Sequence, residues 1–403
     1  MQTNKVIGAV EIGTSKVVVL VGEIDNGGLN IIGRGDSTSM GVTKGEIVDF
    51  GKASDAAHAA LRAAERNAGA TIEAVYLAQT GGHLQGFANV GAVPVSAQDG
   101  LVSRQDMKQA VDNAKRKELQ DGRLYIHHIQ NGFVLDGRAA RDPLTMRGDQ
   151  LEVNYWHVHG NQDKISDNIH VINGYGLQVE DMILSSICSG SLIATPEEKA
   201  AGVVVVDIGR GTTDWVVYRN GTVWRTGVIR IGGDHITNDL SIGLRVSYKD
   251  AEKLKCECGK ATIDQSDKGE KVWLHGDLTI GDRQIPKMAI YQIIKARIDE
   301  LFTILRKELH EYIGNEKLPC GVLLTGGTAK LCQIDEAASR VLTMDTRCLL
   351  PPKWVREDLR MPEYSTVLGL LQYGMSAQNS LDMSNVSKRG NLLEKVRGLF
   401  SVN

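Results

Sequence analysis

The chain has 403 residues, 42% of them hydrophobic, and its 46 basic and 49 acidic side chains leave a formal net charge of −3. That length builds two or more cores rather than one, and so even a charge balance supplies no basic field for nucleic acid. Six cysteines without paired spacing, and no apolar run near the ~18 residues of a membrane span, point to reduced thiols and a chain that does not cross a bilayer.

From the N-terminus, residues 6–23 (VIGAVEIGTSKVVVLVGE) read as strand, glycine turn, strand. Glu11 breaks the apolar run too early for a secretory h-region, so no signal segment is expected. Residues 29–35 continue as a strand. Residues 49–67 predict a helix with Ala56, Ala60, Leu61 and Ala64 on one face, and residues 74–79 a strand leading into Thr80-Gly81-Gly82. Residues 84–160 carry polar strand-like pieces (83–90, 124–134, 151–159) around a helix at 103–117. Ser103 and Asp106 cap that helix, and Met107, Ala110, Val111 and Ala114 form its stripe. This predicts an inserted α+β subdomain. A helix at 165–174, a strand at 179–186 and a crossover at 189–195 return the chain to its first core.

The second half opens at residues 203–219, VVVVDIGRGTTDWVVYR. Four valines without alternation predict a strand buried on both faces. Gly209 and Gly211 let bare backbone approach a ligand, and Thr212 and Thr213 add hydroxyl donors, a set suited to a phosphate. Asp207 and Asp214 are acceptors, and beside a phosphate they require an intervening divalent cation. Residues 6–23 repeat this grammar with Glu11, Gly13, Thr14, Ser15 and Lys16, which predicts a duplicated α/β domain with one phosphate hairpin per half. Gly232 and Gly233 open a helix near Asp234, a further anion site. Residues 245–312 form another insertion, with a long helix after Pro286. Residues 322–325 return as a buried strand, and Gly326, Gly327 and Thr328 form a turn able to lie flat against a nucleoside. Residues 376–390 are small and polar and predict a flexible linker. In the tail, NLLEKVRGLFSV, residues Leu392, Leu393, Val396, Leu399 and Phe400 share one helical arc flanked by Lys395 and Arg397, the pattern of an in-plane helix at an anionic membrane.

The motifs EIGTSKVVVLVGE, DIGRGTTDWVVY, VIRIGGDHITNDLSIGL, DAEKLK, LLTGGTAKL and YSTVLGLLQYG together resemble the FtsA family of the actin, sugar-kinase and chaperone-ATPase superfamily, over nearly the whole chain. DPLTMRG, residues 142–148, resembles a loop of that family's inserted subdomain. The resemblance implies an α/β fold of duplicated actin-like, ribonuclease-H-like domains with a nucleotide cleft, an inserted small α+β subdomain and a C-terminal amphipathic helix. It divides the chain into a first core (1–83 and 161–195), an insertion (84–160), a second core (196–244 and 313–375), its insertion (245–312), a linker (376–390) and a membrane helix (391–403). It implies ATP and Mg²⁺ as cofactors, the ion held through water by Glu11 and Asp207. Glu252 is assigned to the ribose and Lys255 to the base. FtsZ, further copies of the chain and an anionic membrane are the implied partners, with other division proteins at 84–160 and no nucleic acid. The implied location is the cytoplasmic face of the membrane at the division site.

Two residues depart from the family pattern. Glu11 stands where aspartate is usual. Arg210 stands where glycine is usual, and either strains the backbone or brings a guanidinium toward a phosphate. Ser185 lies where hydrolysing relatives place a water-orienting Glu or Gln, so ATPase activity is expected to be weak or absent. A small-molecule kinase and a pilus-assembly protein of the same superfamily are the alternatives. His157, His159 and His170 lack an acidic or thiol partner spaced for zinc, and Cys256 and Cys258 lack a second pair.

Overall fold

The valine run forms a strand because both of its faces are covered. In the computed structural model, which describes residues 5–25, 28–274, 282–314 and 316–386, Val203 to Val206 are essentially inaccessible. Their strand, Val203–Ile208, is central in a five-stranded sheet ordered Thr222–Ile229, Thr213–Arg219, Val203–Ile208, Val322–Thr325, Thr346–Cys348. The first three strands are an antiparallel meander, and the last two add in parallel. A second five-stranded sheet has the same plan. In it the meander Lys5–Ile12, Lys16–Asp25, Gly28–Thr38 is extended in parallel by Ala74–Gln79 and Val179–Leu184. The repeat seen in two glycine hairpins is thus a repeat of topology.

The helices Ser185–Ile193 and Ser365–Val386 pack between the sheets. Ile187, Cys188, Val367 and Leu371 share one core cluster with Ile7, Leu20 and Tyr76 of the first sheet and Val203, Val205 and Val216 of the second. On the outer face of the first sheet, Phe50–Ala68 buries Ala53, Ala57, Ala60, Leu61 and Ala64, and Asp49 caps it by accepting from Lys52 N–H. Over the second sheet, Lys287–Ile313 buries Ile290, Ile294, Ile298, Leu301 and Leu305. Each such aliphatic side chain contributes roughly 1.5–3 kcal/mol of transfer free energy.

The insertion has a core of its own. Gln85–Pro94, Gln150–Asn161, Arg123–Leu135 and Arg138–Ala140 form an antiparallel sheet. The helix Arg104–Lys115 lays Ala110 and Ala114 on it over Val93, Leu151 and Val153. Ser103 and Asp106 form a reciprocal capping box there.

Three elements differ from expectation. The strand at 179–186 ends at Leu184, and Ser185 begins a helix where a crossover was expected. That helix is buried nearly all round, so its small residues carry no amphipathic stripe by which to recognise it. The turn after Val322–Thr325 leads into a short 3₁₀ segment, Gly327–Lys330. The polar stretch expected as a linker from 376 is helical as far as Val386. Gln378 is buried there and donates to Tyr76 Oη at 2.8 Å, so a polar residue serves as a docking contact. Residues 387–390 and the amphipathic tail with Leu392, Leu393, Lys395, Val396, Arg397, Leu399 and Phe400 lie outside the described residues.

Candidate functional site

The two hairpins meet tip to tip. In the first, Ile12 pairs with Val17 and leaves Gly13 to Lys16. In the second, Ile208 pairs with Thr213 and leaves Gly209 to Thr212. Between them opens a cleft of about 340 Å³, lined by Glu11, Gly13, Thr14, Ser15, Lys16, Asp207, Gly209, Arg210, Gly211, Thr212 and Asp214. Gly233, Glu252, Lys255, Gly326, Gly327 and Thr328 close its far side. Of the ligand residues expected from sequence, Thr213 and Gly232 do not line it. Thr213 is fully buried and donates to Ile231 O, because alternate strand residues face opposite sides. Gly232 is the N-cap of the helix Gly233–Leu244 and packs against the Arg210 backbone.

Three carboxylates, each on a different strand, line the cleft. Asp207 accepts from Thr366 Oγ1 at 2.9 Å. Asp214 accepts from Thr80 Oγ1 at 2.6 Å and Thr212 Oγ1 at 2.9 Å. Glu11 Oε2 is buried with no hydrogen-bond partner among the described residues. Burial, reinforced by the charge of Asp207, pushes Glu11 up to about 8. Burial pushes Asp207 up to about 6. It pushes Asp214 up to about 7, with Asp207 adding and the threonine hydroxyls opposing. Lys16 opposes the shift at Glu11 but does not cancel it. Its ammonium sits 3.5 Å from the centroid of the Tyr364 ring, and burial lowers its pKa. Among the described residues no group of three His, Cys, Asp or Glu side chains is placed to hold a metal ion directly, and a hard divalent cation would be held here only through its water shell. The unpartnered Glu11 oxygen and the all-oxygen donor set agree with that fit.

On the nucleoside side, Lys255 Nζ donates to Glu252 Oε2 at 2.7 Å, Thr237 Oγ1 at 2.8 Å and Gly233 O at 3.2 Å. Although burial opposes it, hydrogen bonds from Lys255 and Thr237 hold the Glu252 carboxyl below its usual range. Thr328 Oγ1 donates to Gly209 O at 2.9 Å and joins this side to the second hairpin. Gly326 has φ +89°, and an added Cβ would collide with Asp207 Oδ1 and lie 2.7 Å from Ile208 N. Arg210 is outside the left-handed region, so it carries no backbone strain. Its Nε donates to Asp234 Oδ1 at 2.6 Å, and its Nη2 reaches Tyr248 Oη at 3.4 Å. The guanidinium therefore ties the second hairpin to two helices at the cleft mouth.

Sequence reasoning missed Thr80, Glu363 and Thr366 as lining residues. Thr80 had a signal, a hydroxyl before two glycines at the carboxyl end of a parallel strand, where open α/β sheets place ligands. Thr366 had none, since it reaches Asp207 from 159 residues away. His157 and His159 are engaged elsewhere: His157 Nε2 contacts Ala114 O at 3.0 Å, and His159 Nδ1 accepts from Arg123 Nε at 2.6 Å.

The family model described as cell division protein FtsA matches residues 204–369, and the model of the SHS2 domain inserted in FtsA matches residues 81–159. The cell division protein FtsA of Pseudomonas aeruginosa is 33% identical over 94% of this chain and 91% of its own length. This chain belongs to the FtsA family of cell division proteins. The FtsA proteins of Bacillus subtilis and Escherichia coli K12 are 32% and 30% identical, over 93% and 92% of this chain and 84% and 90% of theirs. Among solved structures, the PilM–PilN type IV pilus biogenesis complex aligns with a TM-score of 0.63 at 16% identity over 92% of this chain and 98% of that one. MreB5 of Spiroplasma citri bound to ADP aligns with a TM-score of 0.54 at 14% identity over 96% and 99%. These likenesses establish the actin-like fold. The FtsA relatives make the chain an actin-like cell-division protein. No helix among the described residues is long and apolar enough to cross a membrane.

Proposed function

We propose that the chain binds ATP with Mg²⁺ in the cleft and, so loaded, polymerises on the cytoplasmic face of the membrane as a tether for FtsZ filaments. The observation that carries the ATP reading is the pair of opposed hairpins, whose glycine and hydroxyl tips face each other beside three buried carboxylates with raised pKa values. Thr14 and Ser15 from one side and Gly211 and Thr212 from the other present backbone N–H groups to phosphates, with the Thr14 and Ser15 hydroxyls beside them, while the N–H groups of Gly13 and Gly209 close their own turns on Lys16 O and Thr212 O. Glu252 and Lys255 face the ribose and base, with Gly326 and Gly327 as a flat floor beside them. Glu11 and Asp207, supported by Asp214, would hold Mg²⁺ through water, and the ion would supply neutralising charge to the phosphates and to these carboxylates. Ser185 lines the cleft where a water-orienting carboxylate or amide would raise turnover, so hydrolysis is slow.

In this reading residues 1–83 with 161–195 and residues 196–244 with 313–375 are the two halves that nucleotide ties together. The insertion 84–160 takes further division proteins, and 245–312 faces FtsZ. The tail 391–403 binds lipid weakly as one copy, and a filament presenting many tails binds firmly. The kinase and pilus-assembly alternatives give way to the family match over nearly the whole chain. Calorimetric titration with Mg·ATP, followed by electron microscopy on anionic lipid with and without ATP, tests the proposal. Saturable ATP binding and ATP-dependent filaments on lipid are expected. No binding at millimolar ATP would overturn it.

A further inference from the structure

The first half sends a third segment to the cleft floor, which the assignment above leaves without a role. Val42–Thr43 and Glu46–Ile47 pair as a minimal hairpin whose two-residue turn is Lys44-Gly45. Both turn residues are left-handed, with φ of 51° and 74°, the type I′ geometry of the tightest hairpins. Lysine is not a residue that this geometry favours, and strain of that kind persists where the surroundings enforce it. Here the surroundings are the two phosphate hairpins. The Gly45 N–H donates to Thr14 Oγ1 at 3.0 Å. A Cβ on Gly211 would run into Thr14 Oγ1 and lie 2.9 Å from Lys44 Cα. A Cβ on Gly45 would lie 2.8 Å from Thr80 Cγ2, and Thr80 itself donates to Asp214 of the second half. The base of the small hairpin is anchored as well. Val48 and Asp49 N–H donate to Gly41 O at 2.8 and 3.1 Å, and Glu46, 7% exposed, pairs with Lys164.

A threonine hydroxyl has one proton to give and two lone pairs to receive. The Gly45 N–H takes one lone pair of Thr14, so the hydroxyl proton turns away from the turn and toward the cleft that Thr14 lines. We infer that the Lys44–Gly45 turn is a positioning element of the phosphate site: it aims the Thr14 hydroxyl at the bound phosphate. This rests on the nucleotide reading above and adds to it a segment that touches no ligand itself.

The test is a double-mutant cycle on full-length protein, with Mg·ATP affinity from calorimetry and amide exchange at residue 45. Thr14→Val removes the hydroxyl and keeps the shape, and Gly45→Ala pushes the turn off Thr80. Each should weaken ATP about tenfold, and the double variant should lose no more than the larger single loss, because both act through one hydroxyl. Thr14→Ser should recover most of what Thr14→Val loses. The Gly45 amide should exchange faster in Thr14→Val than in the parent, with the global melting temperature unchanged. That arm does not depend on Gly45→Ala folding. Additive losses, or a Gly45 amide indifferent to Thr14→Val, would overturn the inference while leaving ATP binding by the parent intact. A parent that binds no ATP would overturn the nucleotide reading instead.

Discussion

Replacing Asp214 by asparagine separates a residue kept for its charge from one kept for the fold. Asp214 is 6% exposed, and its carboxyl is pushed from the ordinary 3.8 up to about 7, chiefly by burial. An acid whose folded pKa is raised makes the folded protein hold its proton more tightly than the unfolded chain does. Without ligand, stability is therefore drained as pH rises from about 4 to about 7, and the full loss is present above that. Asparagine has no such proton. It still offers an oxygen to one of the hydroxyls of Thr80 and Thr212, and the other hydroxyl can rotate to accept from its amide. At pH 8 the variant should be more stable than the ligand-free parent by on the order of 2–4 kcal/mol, and at pH 4 the two should melt alike. The same change removes part of the negative charge that supports the cation, so Mg·ATP affinity should fall tenfold or more. Thermal melts at both pH values and calorimetry read these effects on one preparation. A variant less stable than the parent at pH 8, or one that binds Mg·ATP like the parent, would show that Asp214 is a structural hydrogen-bond acceptor and that the charge argument is wrong.

Gly326→Ala places a Cβ at φ +89° against Asp207 and Ile208; backbone strain of about 1–2 kcal/mol adds to crowding, so both melting temperature and ATP affinity should drop, and parent-like values of both would remove Gly326 from the cleft floor. The insertion should respond to acid in the opposite sense to the cleft. Burial, with the His128 ring adding, lowers His157 to about 4, so the unfolded segment takes a proton first. Because His127, His128 and His159 of the same sheet are lowered too, protection of the Gln150–Asn161 amides, corrected for intrinsic rates, should fall by at least roughly 1.4 kcal/mol per pH unit on descending from about 6.5, and equal protection at pH 7 and pH 5 would contradict this. Deleting everything after Ser387 should abolish sedimentation with anionic liposomes and leave the melting temperature unchanged. A lowered melting temperature would mean that the tail packs on the body.

The sequence carried the fold wherever a pattern is local. Four unbroken valines announced the central strand, and the echo of DIGRGTTD in EIGTSK announced its duplicate. The alanine face from Ala56 to Ala64 placed its helix to within a residue or two. Patterning gave way where small residues are buried all round, as in Ser185–Ile193, since periodicity reports only half-buried elements. It also gave way after residue 376, where polar side chains find partners across the core and so continue a helix that composition reads as a linker. Most of the cleft was legible because glycine and hydroxyl residues cluster at hairpin tips. The carboxylate partners of Thr80 and Thr366 were not, since these residues approach Asp214 and Asp207 from 134 and 159 residues away. The role of Arg210 was undecidable from sequence because it turned on a backbone angle and on Asp234, in the first turn of a neighbouring helix.

The closing helix Ser365–Val386 joins these observations mechanically. Its first turn belongs to the second half, where Ser365 shares a hydrogen bond of 2.7 Å with Thr325 and Thr366 holds Asp207. Further along it belongs to the first half, where Tyr373 donates to Asp181 and Gln378 to Tyr76. A helix of this length spans about 33 Å, and a rod fixed at one end to a cleft carboxylate and along its length to the opposite sheet cannot stay put while the halves rotate apart. On the proposed function, the segment that follows this helix is the lipid-binding tail. Occupation of the cleft and the position of Val386, after which the tail follows in sequence, therefore depend on one helix. Nucleotide has only to favour one arrangement of the halves for this helix to shift with them, to the extent that its affinity differs between the two arrangements.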